Sequence, residues 1–496
     1  MSLVDGLRRN SLWVLSGDVG ARITQLLFGV VLARILVPED FGLVITVQIL
    51  TGALGFLSAH GINDALVRAK TLGPRDVGTA FSIQLGASGL IVALLYLIAP
   101  YFADFFHDDR LAPLLRLASL SFVLRPLMGI PTAMLQRQMR FKELSLLMLV
   151  GFVLSGLVSV AAALLGLGAW SLVIGGLAGG LARTGLAIHL SAWVPAVSFD
   201  RAAASRIGTY GLKISGNEII QFIRIQTGNA LISRNLGTAD VGLYNKANSL
   251  AEMPSDLLSG SAQQTLFRAL ASIRDDNQQC AQLFLRAVML VAFYTLPLCI
   301  GLAWLAKPVV LTLYGPQWVD SVLPLRILSI AGALTVVSNL SRSVIASHDR
   351  LGKELVIQLE TWAVLVAGVM IGLNWGIVGV AFGILPSFIH NAVRMYGLAA
   401  SALATGWAAL WQALAPVIAL NALMMLGLGA MHLLLSRSGL STVLPAYAAA
   451  MIATGGLIYS TVIFVRPPPA LRSESEQWRG YLRSAISAVE GWRGRN

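Results

Sequence analysis

Charge is scarce in this sequence. Lys, Arg, Asp and Glu together make up 12% of the 496 residues, about half of what a soluble globular chain carries. That scarcity excludes an ordinary water-exposed surface over most of the chain. Cysteine is scarcer still. Cys280 and Cys299 are the only two, which excludes a disulfide framework and any cysteine-based zinc spacing. The six histidines stand singly. Long external loops are missing too. The longest candidates, "YFADFFHDDR" and "KPVVLTLYGPQW", are too short to fold as domains. A cleavable leader is not expected, because the first apolar stretch contains Asp18 and Arg22 and no small-residue cleavage site follows it.

What is abundant is apolar surface. Hydrophobic residues are 56% of the chain and the mean hydropathy is +0.74. Runs of about 20 apolar residues recur along the whole length, each able to cross a bilayer as a helix. Fourteen spans are expected, near 11–36, 41–61, 78–99, 112–136, 144–166, 169–190, 207–233, 241–266, 282–305, 321–346, 356–374, 377–400, 410–433 and 442–465. The formal net charge of +12 belongs to topology rather than to nucleic acid. If the N-terminus is cytoplasmic, twenty-four Lys and Arg fall on that side and seven on the other. That asymmetry places both termini in the cytoplasm. The polar tail, 466–496, carries Trp478, Leu482, Ile486, Val489 and Trp492 at helical spacing. It reads either as a basic amphipathic helix on the inner leaflet or as a partly disordered basic tail.

The chain also repeats itself. "LARILVPEDFGL" at 32–43 returns as "ISRNLGTADVGL" at 232–243. "LLRLASL" at 114–120 returns as "PLRILSI" at 324–330, "RFKEL" at 140–144 as "RLGKEL" at 350–355, and "GLGAWSLVIGG" at 166–176 as "NWGIVGVAFGI" at 374–384. Four matches in one order define two copies of six spans. Six is even, so both copies enter the membrane from the same side and are parallel repeats. The expected fold is an all-α polytopic membrane protein of about 14 transmembrane helices. Two parallel six-helix repeats form two lobes around a central cavity, and two further helices follow. The corresponding domains are 1–200 (helices 1–6), 201–405 (helices 7–12), 406–465 (helices 13 and 14) and the cytoplasmic tail. In the repeated turn, Asp40 and Asp240 are expected to cap the second helix of each copy, and Gly42 and Gly242 to ease a tight entry.

Charges inside spans are costly and so point to a cavity or a partner. Span one carries Asp18, Arg22 and Gln25 on one face, and the repeat equates Asp18 with Glu218. Span seven carries Lys213, Asn217, Gln221 and Arg224 as a stripe, and span eight carries Asn248, Glu252, Ser255 and Ser259, with Lys246 toward its outer end. Arg125 stands apart, beside Pro126 at an expected kink. Asp18 with Arg22, and Glu218 with Lys213 or Arg224, also read as ion pairs that lock helices together. As a set, five intraspan cations suit a hydrated cleft for an anionic solute, since arginine donates two hydrogen bonds at once to phosphate. Leu27, Phe28, Phe222 and Ile223 on the same helices suit an amphiphile with its tail in the bilayer. The candidate substrate-binding residues are therefore Arg22, Lys213, Arg224, Asn217, Gln221, Asn248 and Lys246. Asp18, Glu218 and Glu252 are candidates for taking up a coupling H⁺ or Na⁺. No other cofactor and no metal is expected.

"GVVLARILVPEDFGLV", "GINDALVRAK", "LLRLASLSFVL", "QRQMRFKEL" and "NLGTADVGLYNKANSL" together resemble the polysaccharide exporter or oligosaccharide flippase family. The resemblance covers nearly all of 1–465 and is greatest to its Wzx-like, colanic-acid-exporter-like branch. That family sits in a superfamily with multidrug-and-toxin extruders and lipid II flippases. The second turn departs from the family pattern, with Thr238 and Val241 where the first has Pro38 and Phe41. The resemblance implies fourteen helices in two lobes in the bacterial inner membrane. It also implies movement of an undecaprenyl-pyrophosphate-linked oligosaccharide for exopolysaccharide, capsule or O-antigen assembly. The partners implied are that lipid-linked substrate, membrane lipids, and the polymerase and glycosyltransferases of the same pathway, not nucleic acid. Two other readings remain open. One is a multidrug or cation antiporter of the same fold, which predicts a carboxylate-rich cavity. The other is a membrane glycosyltransferase or polymerase, for which the candidates are Asp104, Asp108 and Asp109 in a short external loop.

Overall fold

Inside a bilayer every backbone N–H and C=O must find a partner within the protein, and an apolar run of about 20 residues does so as an α-helix. The computed structural model describes residues 20–55, 61–69, 72–437 and 445–465, with 467, 472, 476, 479 and 480 of the tail; the side chains of 61, 207–221, 257, 261 and 445 are not described. Among the described residues the chain is helical throughout, with no strand. Each of the fourteen expected spans is predominantly helix over its described residues. Among the described residues nine stretches are long and apolar enough to cross a membrane by length and composition alone, and one of them, Leu351–Ala402, contains two helices. This is an all-α polytopic membrane fold. The tail's helical positions from Trp478 to Trp492 lie outside the described residues.

The first copy opens with α1 (20–35) and α2 (Pro38–Gly55), followed by a short α3 (Gly61–Arg68). Then come α4 (Pro74–Phe106), α5 (Leu111–Ser119), α6 (Ser121–Arg137), α7 (Phe141–Leu164) and α8 (Ala169–Ser191). The second copy runs through α9 (Arg201–Leu236), α10 (Thr238–Ser272), α11 (Asn277–Trp304), a short α12 (Ala306–Leu313), α13 (Val322–Ser347), α14 (Leu351–Gly372) and α15 (Gly376–Ala402). The helices α16 (Trp407–Arg437) and α17 (Pro445–Val465) follow. Span four is interrupted at Leu120, between α5 and α6, and Pro126 lies inside α6. Arg125 Nη1 donates to the Gly55 carbonyl at 3.3 Å, and its guanidinium lies 4.6 Å from the centre of the Phe122 ring.

The repeat is as plain in the packing as in the letters. In the first copy α4 packs on α6, α6 on α8, and α7 on α8; in the second α11 packs on α13, α13 on α15, and α14 on α15. It is also written in the backbone. Positive φ occurs at His107 and Gly315, at Met139 and Asp349, at Gly168 and Gly376, and at Ala192 and Ala404. These pairs fall in order along the two copies, so even turns without glycine kept their left-handed residue.

The matched motifs do matched work. Arg140 begins α7 and donates to the Leu190 carbonyl at 2.9 Å, at the end of α8. Arg350 begins α14 and donates to Ser401 Oγ at 2.8 Å, at the end of α15. A cation at a helix C-terminus meets unpaired carbonyls and the negative end of the helix dipole. Each arginine therefore ties the open end of its helical hairpin.

Contacts divide the chain elsewhere than the repeat does. One compact unit holds 1–245 with 313–317, and the other holds 246–312 with 318–496. In the first, α9 packs on α2, α3 and α4, with the Phe222 ring seated on Gly52. Polar side chains hold α3 in place. Asn63 Oδ1 accepts from Gln84 Nε2 at 2.8 Å, and Arg137 donates to the carbonyls of Leu66 and Ala69. This accounts for Asn63 of "GINDALVRAK". The second unit carries a continuous core built around Phe284, Val288, Val336, Val344 and Tyr396.

Candidate functional site

The expected substrate residues divide into three groups. Asp18 lies outside the described residues, and Lys213, Asn217, Glu218 and Gln221 lie on α9 with side chains that are not described. In the first unit, Arg22 is exposed on α1 and Arg224 is half-buried on α9. Phe222 commits one face of α9 to α2. Two residues on, about 200° around the helix, Arg224 lies on a different face. In the second unit, the structure brings Asn248 and Glu252 together: Asn248 Nδ2 donates to Glu252 Oε1 at 2.9 Å across one turn of α10. Lys246, one turn above Leu250, has its Nζ 5.9 Å from the centre of the buried Trp318 ring.

A second constellation is denser. It lies in the first unit and gathers around the repeated turn. Pro38 opens α2 and supplies a fixed φ at the first helical position. Asp40 does not cap as a side chain at the helix boundary. It sits in the first turn and its Oδ2 accepts from the Val37 N–H at 3.2 Å, the return half of a capping box. Gly42 is required for a reason other than a tight turn. A Cβ there would collide with the Thr238 carbonyl, and a Cβ at Gly242 would collide with the Pro38 carbonyl. The start of α2 and the start of α10 lie directly against each other, each using the glycine of its own copy of the motif.

The arginines of the motif are exchanged in the same way. Arg34 Nε donates to the Leu313 carbonyl at 3.1 Å, at the end of α12. Arg234 donates to the Phe105 carbonyl, at the end of α4, and lies 4.0 Å from the centre of the Phe105 ring. The first copy's arginine caps a helix of the second copy, and the second copy's arginine caps a helix of the first. Gln317 Nε2 adds a bond to the Ala33 carbonyl at 3.0 Å. Thr46 Oγ1 and Ser233 Oγ lie 2.7 Å apart where α2 meets α9.

Ion pairs close this end. Arg110 reaches Glu39 at 2.6 Å and Asp108 at 2.8 Å, and Asp108 also accepts from Thr238 Oγ1 at 3.3 Å. Burial works against ionisation of Asp108, but the Arg110 hydrogen bonds outweigh it and hold the carboxyl below its usual range. Asp108 is thus engaged in holding helix ends together, which weakens the enzyme reading of this loop. Sequence reasoning singled out the motif but missed its partners. The only signal was its duplication, and duplication does not say that the copies touch.

Comparison with known proteins agrees with this architecture. A family model described as "polysaccharide biosynthesis protein" matches residues 31–323. The succinoglycan biosynthesis transport protein ExoT of Rhizobium meliloti is 27% identical over 310 residues, 62% of this chain and 63% of that one. The chain therefore spans less than two thirds of that relative's length. The lipopolysaccharide biosynthesis protein WzxC of Escherichia coli is 24% identical over 370 residues, 74% of this chain and 75% of that one. Among solved structures, the lipid II flippase MurJ in an inward closed conformation superposes with a TM-score of 0.70 at 15% identity, covering 91% of this chain and 98% of that one. An inward-facing multidrug resistance MATE family transporter gives 0.62 at 16% identity, covering 77% and 94%. These two likenesses establish a shared fold. The family model spans more than half of the sequence, and on that ground the chain belongs to the polysaccharide biosynthesis protein family.

Proposed function

We propose that this protein is a flippase that carries an undecaprenyl-pyrophosphate-linked oligosaccharide from the inner to the outer leaflet of the bacterial inner membrane. The product serves exopolysaccharide, capsule or O-antigen assembly, and no covalent bond changes. The observation that carries the reading is the set of cations on three helices, Arg22 on α1, Lys213 and Arg224 on α9 and Lys246 on α10, in a chain with the fold of a lipid II flippase. Relatives named for polysaccharide transport and biosynthesis support the same substrate class.

In this mechanism the pyrophosphate or an acidic sugar pairs with Arg22, Lys213 or Arg224. Asn217, Gln221, Asn248 and Lys246 supply further polar contacts, and the prenyl tail stays in the bilayer. The carrier then alternates between openings to the two sides. Asp18, Glu218 and Glu252 take up H⁺ or Na⁺ to drive the cycle. The excess of basic residues beside the termini supports cytoplasmic ends. Intraspan cations favour an anionic cargo over the cationic drugs of an antiporter.

Deleting the gene in its host and extracting lipid-linked sugars tests the proposal. Repeat units should accumulate on undecaprenyl carrier on the cytoplasmic side while surface polymer is lost. Complementation with Arg22→Ala or Arg224→Ala should restore membrane insertion but lower export at least roughly tenfold, the value of one charge-assisted hydrogen bond. Full export by both variants would overturn the assignment of these residues, and unchanged polysaccharide in the deletion strain would overturn the function.

A further inference from the structure

Two cations of the second unit face a cavity and have no hydrogen bond or ion pair among the described residues. Where α11 and α16 end and α13 and α17 begin, a cavity of about 610 Å³ opens, lined by Lys307 and Arg326. Neither makes a hydrogen bond or ion pair with any described residue. The repeat equates Arg326 with Arg116, and the contrast is informative. Arg116 lies against an aromatic ring, its guanidinium 4.9 Å from the centre of the Tyr96 ring, whereas Arg326 lines the cavity. His432 and Tyr447 line the same cavity and hydrogen-bond each other at 2.9 Å.

Directly beside it is a second cavity of about 910 Å³, walled almost entirely by apolar side chains of α11, α16 and α17. Trp304 lines both. The apolar cavity follows α17 from Met451 to Phe464, a length of about 20 Å at 1.5 Å per residue. That exceeds one leaflet of a hydrocarbon core about 30 Å thick. The charged cavity sits at the bundle end opposite the starts of α11 and α16. With cytoplasmic termini, this is the outer-leaflet end.

We infer that these two cavities form one site for an anionic glycerophospholipid of the outer leaflet, with its phosphate on Lys307 and Arg326 and an acyl chain along α17. The chemistry of the lining selects this occupant. Two cations at the membrane surface match a phosphodiester, an apolar channel matches an acyl chain, and a tryptophan between them matches the interface where such rings concentrate. The site is independent of the cations on α1, α9 and α10 proposed to hold the transported headgroup.

The test uses the full-length protein in mild detergent, titrated with phosphatidylglycerol, phosphatidylethanolamine or inorganic phosphate, and read by thermal shift and native mass spectrometry. Phosphatidylglycerol should bind and raise the melting temperature, and the other two should do neither. Each cation at a lipid surface is worth about a fivefold change in affinity, so Lys307→Gln with Arg326→Gln should weaken phosphatidylglycerol binding on the order of twentyfold. Gly456 lines the apolar cavity with open space beside it. Gly456→Leu should therefore fold normally and weaken binding from the acyl side while leaving both cations in place. Equal phosphatidylglycerol binding by wild type and both variants overturns the site. A shift reproduced by inorganic phosphate alone assigns the cations to a free anion and overturns the lipid.

Discussion

At the scale of single residues, the structure turns two glycines and one aspartate into specific expectations. Gly42 and Gly242 face backbone carbonyls, which cannot move aside as a flexible side chain can. Gly42→Ala should therefore destabilise by about 1–3 kcal/mol, the usual cost of overpacking. Gly29→Ala on α1 enters open space and should be neutral or stabilising by up to about 1 kcal/mol, from helix propensity. Melting of the purified variants in detergent separates the two. Asp108 gives a pH dependence of defined sign. Its folded carboxyl titrates below the ordinary value of 3.8. Its contribution is thus fully present above that value and is lost as pH falls through the depressed one. The melting temperatures of wild type and Asp108→Asn should differ by a constant amount above about pH 5 and converge in stronger acid. A difference that grew on acidification would contradict the Arg110 pairing.

At the scale of elements, the helical hairpins are tied by side chains that the repeat placed in register. Arg140→Ala and Arg350→Ala should each cost about 1 kcal/mol, the worth of one hydrogen bond at a helix terminus. They lie in different units, so the double variant should cost the sum within a few tenths of a kcal/mol; a smaller loss would mean that the hairpins are coupled. α14 and α15 have a second tie. Gly368 and Gly372 meet Gly383 and Gly379 so closely that no Cβ fits, the small-residue contact that lets membrane helices approach. Beside it, Glu360 accepts from Arg394 at 3.1 Å and lies 3.5 Å from His390 Nε2. Glu360→Ala should lower stability by about 1–3 kcal/mol, because it strands a guanidinium. Glu360→Gln, which keeps an acceptor, should cost less in the same melting assay.

At the scale of the whole molecule, the proposed carrier cycle predicts that the exchanged contacts of the repeated turn part when that end opens. Thr46 and Ser233 supply a test, since their hydroxyl oxygens lie 2.7 Å apart between α2 and α9. Side chains that close place cysteines within disulfide reach. Oxidised Thr46→Cys with Ser233→Cys should block polysaccharide export, and a reductant should restore it. Full export by the oxidised protein would show that α2 and α9 stay together through the cycle.

Much of this was legible before any coordinates. Composition set the solvent, run length set the spans, and every span proved predominantly helical over its described residues, because backbone satisfaction in a bilayer is decided locally. The duplication was visible for a similar reason, since residues that serve the same local role keep the same letters. What the sequence could not contain was the identity of distant partners. Arg34 lies 279 residues from the carbonyl it caps, and nothing in "LARILVPEDFGL" names Leu313. The role of Gly42 depended on a carbonyl from the other copy, and the open faces of Lys307 and Arg326 on which helices end beside them. Run length and periodicity are properties of one stretch of chain and can be read from it. A close approach, a crossed cap or an unneutralised charge is a property of two stretches, and only packing brings them together.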